Sequence, residues 1–233
     1  MGEIENDLSN ATVAPSRYGT ALTTAAMAAV GMMPGVGGAI QTIAQGTLAQ
    51  RQAERDADFA MRVARRLQAL ENRPTTDEVL DSDEFIAAWT KAERVAAETA
   101  DSAKRERLAR VLARTGPWAP YDPEDRAILL DLVTRYNEEH IALLDFFRDP
   151  SEAIRRTDPR WQPNVVGGAP VTLVKQYLYP DNPAAVARVG RVAGDLQRDG
   201  TADIPLNAMM TGNGVLQKQT SALGDRLLDS LAD

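Results

Sequence analysis

Between Arg17 and Arg51 the chain runs for 33 residues without an Asp, Glu, Lys, Arg or His. In a sequence that is 25% charged, such a stretch has to be covered by a core, a partner or lipid. Its centre reads Gly31-Met32-Met33-Pro34-Gly35-Val36-Gly37-Gly38. A helix cannot pass through Pro34 and the glycines without losing hydrogen bonds and backbone restraint. The segment is therefore expected to form a helical hairpin over 21–50, with one arm ending near Val30 and the second starting near Ala39. Met27, Val30, Met32, Met33, Pro34, Gly35, Val36, Ile40 and Ile43 are the expected contact residues. Each arm is shorter than the ~20 apolar residues of a membrane-spanning helix. Gln41, Gln45 and several threonines also oppose insertion, and Ala adds little transfer energy. Packing or assembly is the preferred reading, and membrane contact is the first alternative. In that alternative the protein is a membrane-active effector whose 21–50 hairpin inserts in a bilayer.

Beyond Arg51 the apolar residues take helical spacing. Phe59, Val63, Leu67 and Leu70 share one face of a helix from Arg51 to Glu71, and Arg55, Arg62, Arg65 and Arg66 lie off it. That arginine face would suit anionic lipid or an acidic partner, but balancing acids make a solvated surface the simpler reading. Asp81-Ser82-Asp83 reads as a capped helix start, and Asp101-Ser102 opens a further helix. Asp122-Pro123 and Asn137 open the next two, and Asp149-Pro150 is expected to close that unit. Residues 150–170 read as a loop, and 171–179 as a short strand or helix. Asn182-Pro183 starts a helix that ends at Asp199-Gly200. Thr211-Gly212-Asn213-Gly214 reads as a hairpin turn, and a last helix begins at Thr220-Ser221.

The predicted fold is mainly α. An acidic tail (1–18), which resembles no secretory leader, precedes the hairpin and amphipathic bundle (19–118). A C-terminal domain follows (119–233). Leu196-Gln197-Arg198-Asp199-Gly200 and Thr220-Ser221-Ala222-Leu223-Gly224 resemble the end of the third helix and the entry to the last helix in many bacterial winged-helix proteins. His140-Ile141-Ala142-Leu143-Leu144 with Asp149-Pro150 is similar to a histidine-bearing helix in a group of uncharacterised bacterial proteins. Those proteins pair a helical N-terminal half, often with a Pro-Gly apolar hairpin, with a winged-helix-like end. The resemblance implies a winged-helix-like domain with a small β-hairpin, and it implies no activity.

A winged helix raises the question of DNA. Arg188, Arg191 and Arg198 share a face of the 183–199 helix, and Lys218 lies in the wing. A reading helix uses such groups. Yet residues 120–233 carry 12 basic against 17 acidic side chains, which disfavours a phosphate-binding surface. Protein contact is preferred and DNA is the second alternative.

The chain has no cysteine and one histidine, His140. Thiolate chemistry and Cys/His metal sites are thereby excluded. No Gly-x-Ser-x-Gly elbow accompanies His140. The Gly35–Gly38 turn lacks the phosphate-loop lysine. Glu138-Glu139 and the acids from Asp77 to Glu84 lack a calcium-loop pattern and suit helix starts. The reading is a non-enzymatic bacterial interaction protein without cofactor or evident small-molecule substrate. Its partner would be another protein or a second copy, and its place the cytoplasm or a membrane surface.

Overall fold

In the computed structural model, the residues described are 40–69, 82–116, 118–119, 121–163 and 167–232; for 40–49 the description extends to the backbone alone. They are mainly helical. Helix α1 (Ile40–Gln68) is followed by α2 (Asp83–Glu98) and α3 (Ser102–Arg114). The chain continues through α4 (Pro123–Arg135), α5 (Glu138–Arg148) and α6 (Pro150–Thr157). Strand β1 (Gly167–Gly168) leads into a helical turn, α7 (Pro170–Leu173), which widens to π-helix over Val174–Leu178. Then come α8 (Pro183–Arg198), β2 (Met210–Thr211), the single turn α9 (Gly212–Val215) and α10 (Ala222–Leu231).

Local chemistry explains most of the helix starts. Ser82, Asp101, Asp122, Asn137, Asn182 and Ser221 each accept a backbone N–H of their own first turn. Each satisfies a donor that the helix cannot, typically worth about 1 kcal/mol. Asp149 does the same for Glu152, at 2.9 Å. Residues 150–157 are therefore helix where a loop was expected: Asp149-Pro150 begins α6 as well as ending α5, because proline suits a first helical position.

α1 packs on α2 and α3, and α4 on α2 and α3. α5 packs on α8, and α10 fills the angle between α3, α4 and α5. One continuous core runs through these layers, from Phe59 and Val63 through Leu108, Leu112, Leu129 and Leu132 to Leu144, Leu196 and Leu227. It crosses the boundary expected at 118/119, and polar bonds cross with it. Arg114 donates to the Asp229 carbonyl at 2.9 Å, and Arg126 grips Glu84 at 2.6 and 2.8 Å.

The β structure departs from expectation. No β-hairpin turn lies at 211–214. The Thr211 hydroxyl accepts the Gly214 N–H at 3.2 Å and winds the segment into α9. β2 pairs antiparallel with the distant β1, Gly167 opposite Thr211 and Gly168 opposite Met210. Ala202 and Thr220 form an isolated antiparallel bridge at the base of the 203–219 loop.

Candidate functional site

α1 is 29 residues long, about 43 Å at 1.5 Å per residue. Its C-terminal half joins the body. Phe59 and Val63 are fully buried, and the Phe59 ring lies 5.7 Å from Trp89. Arg55 donates to the Ala97 carbonyl at the end of α2, at 3.1 Å. Asp58 receives Arg62 at 3.0 Å and Arg105 at 3.1 Å, and Glu106 receives Arg62 and Arg66, each at 2.9 Å. Burial opposes the charge on Asp58 and Glu106, but the arginine hydrogen bonds outweigh it, and both carboxyls titrate below their usual range.

Gln50, Arg51, Gln52, Ala53 and Glu54 are all exposed. These five consecutive residues cover more than a full turn, so no described element covers any side of α1 there. The helix continues N-terminally to Ile40. Residues 40–54 are thus about 22 Å of helix, and residues 40–50 of it belong to the uncharged stretch. Ile40 and Ile43 lie in this part of α1. Met27, Val30, Met32, Met33, Pro34, Gly35 and Val36 lie outside the described residues, as does the first arm of the expected hairpin.

The cations expected to face nucleic acid are on α8 and in the 203–219 loop, and carboxylates hold three of the four. Arg188 makes a forked contact to Glu139, at 2.9 Å and 3.1 Å from Nε. That hydrogen bond is the main reason the Glu139 carboxyl is held below its usual range. Arg198 pairs with Asp195 at 2.8 Å, and Lys218 pairs with Asp225. Arg191 is exposed and has no ion pair among the described residues. Beside it Gly190 and Gly194 open to solvent, with nothing within 4 Å of where a Cβ would stand.

His140 has a structural place, and its partners are what sequence reasoning left out. It occupies the third position of α5, and its ring and the Asn137 side chain close a capping box. The ring stacks on Tyr136, centroids 4.8 Å apart, and its Nε2 stands 3.4 Å from Asp195. Burial lowers its pKa against the pull of Asp195. The sequence signal was the Asn-x-x-His spacing, since an N3 side chain can reach back to the cap.

An open groove of about 410 Å³ lies between α3, α5 and α10, bounded by Ile141, Leu228 and Leu231 with Arg107 and Arg148. Arg148 is already engaged by Asp229 at 2.6 Å. Among the described residues no group of three His, Asp or Glu side chains is placed to hold a metal ion, and no helix is long and apolar enough to cross a membrane. No family model, curated protein or solved structure matches the chain.

Proposed function

We propose that the protein is a non-enzymatic interaction and assembly protein that makes its contact through the uncharged 18–50 segment. The carrying observation is the exposure of Gln50–Glu54 around the whole circumference of α1. No described element covers α1 at that point, and the helix leads from there into the uncharged stretch. We read residues 119–233 as a winged-helix-like module that binds protein. The helix order α4, α5, α8 and the bridge between Ala202 and Thr220 support that reading. The pairing of Arg188, Arg198 and Lys218 with carboxylates favours protein over DNA as its partner, because phosphate binding draws on uncompensated cations.

The test compares wild type with an Ala29→Asp/Ile43→Asp variant by sedimentation velocity, and by flotation on phosphatidylcholine vesicles with and without phosphatidylglycerol. Both chains should show the same helical content. The reading expects higher-mass species in wild type that the variant loses, and no flotation by either. Flotation of wild type alone would make the segment a membrane element. Identical sedimentation of the two chains would refute contact through 18–50.

A further inference from the structure

The outer face of α1 is built unlike an ordinary solvent face. At about 100° per residue, Ala53, Ala57, Met61 and Ala64 lie some 120–200° around the helix from buried Phe59. Ala53 is exposed, Met61 is 50% exposed, and Ala57 and Ala64 are half-buried. Gln50 and Gln68 prolong the strip at either end, both exposed. Residues 51–68 include eight charged side chains, and none falls on this strip. A helix face meant for water normally carries charge.

The charges beside the strip divide into two kinds. Asp58, Arg62 and Arg66 are engaged with α3 or with each other. Glu54 and Arg65 border the same edge of the strip, near opposite ends, and both are exposed. Glu54 accepts a hydrogen bond from Gln50 at 3.2 Å. Neither it nor Arg65 has an ion-pair partner among the described residues.

We propose that this face is a two-fold interface with a second copy of the chain, the two α1 helices packing antiparallel about a point near Phe59. In a two-fold contact the same patch must complement itself, and this one does. Ala53 comes opposite the partner's Ala64, Ala57 lies against the partner's Met61, and Gln50 meets the partner's Gln68. Glu54 reaches the partner's Arg65, and symmetry repeats that pair. The small residues let the axes approach to about 8 Å. The overlap of Gln50 to Gln68 is about 28 Å of helix, about 10–12 Å wide. That is a few hundred Å² per partner, under the roughly 800 Å² of a standard interface, so the dimer is weak and concentration-dependent. The inference rests on the reading of the protein as an assembly protein and names a second copy as the partner of α1.

Sedimentation equilibrium of the full chain over a wide concentration range tests it, with circular dichroism to show that each variant is folded. Wild type is expected to show a reversible monomer–dimer equilibrium. Glu54→Arg and Arg65→Glu each set like charges against each other twice and should weaken association by about tenfold, equivalent to ~1.4 kcal/mol. The doubly swapped chain should recover it, and so should an equimolar mixture of the two single variants, because each then supplies the charge that the other lacks. A wild type that stays monomeric overturns the proposal, as does a dimer indifferent to both substitutions or single variants whose mixture does not recover. Ala29→Asp/Ile43→Asp leaves this strip untouched. Loss of association in that variant alone would therefore refute the α1 interface while sustaining contact through 18–50, and the reverse pattern would do the opposite.

Discussion

α1 and α8 each bury one face and show the other to solvent, and the two exposed faces solve the problem differently. On α8 the exposed stripe is charged but largely settled within the molecule, with Arg188 on Glu139 and Arg198 on Asp195. On α1 the exposed strip is uncharged, and the ions at its edge, Glu54 and Arg65, have no ionic partner among the described residues. The first pattern is that of a solvated surface, where exposed ion pairs contribute little. The second leaves apolar area and charge to be used elsewhere. Exposure alone does not separate them, whereas the partners of the charged side chains do.

The two inner faces should behave alike, and breaking them carries the largest effects. Phe59→Ala removes a fully buried ring that anchors α1 and should cost about 3–5 kcal/mol. Leu196→Ala does the same under α8, for about 2–5 kcal/mol. Urea denaturation followed by circular dichroism checks both. If Phe59→Ala proved much milder, α1 would be held mainly by its arginine network, and the comparison would need redrawing.

Acid sharpens the contrast through that network. Asp58 and Glu106 have lowered pKa values in the folded chain. Their contribution is therefore full above the unfolded carboxylate values of about 3.9–4.3 and is lost as pH falls through the lower folded values. His140, whose pKa is also lowered, acts in a higher window. Its neutral form suits the fold, so stability should begin to fall as pH drops below about 6.5. Glu106→Gln should flatten the acid limb, and His140→Gln the shallower loss above it. Denaturation midpoints measured across pH distinguish the two.

The smallest effects belong to the outer face of α8. Gly190→Ala and Gly194→Ala place a methyl group in open space on a helix and should each raise stability by about 0.5–1 kcal/mol. A loss in either would mean that something packs on this face. Arg188→Ala should leave the denaturation midpoint almost unchanged, since its pair with Glu139 is exposed. A strong effect there would make α8 the more structured of the two surfaces.

The sequence by itself determined where most helices begin. Ser82, Asp101, Asp122, Asn137, Asn182 and Ser221 act on the backbone within three residues of themselves, so no distant partner is needed to recognise them. It also determined the core face of α1, because the spacing of Phe59, Val63 and Leu67 is a property of the helix. Asp149-Pro150 was ambiguous because the same pair can end one helix and begin the next. Thr211–Gly214 was misread because a hairpin turn requires adjacent strands to pair. Here Met210 and Thr211 pair with Gly167 and Gly168, and the Thr211 hydroxyl takes the local N–H. Only the tertiary structure decided which charges are settled, since Arg188 and Glu139 lie 49 residues apart in sequence and Arg62 and Glu106 lie 44 apart. It alone also decided that Gln50–Glu54 are exposed on every side of α1. Spacing along a helix says which residues share a face, and only the packed neighbours say whether that face is covered.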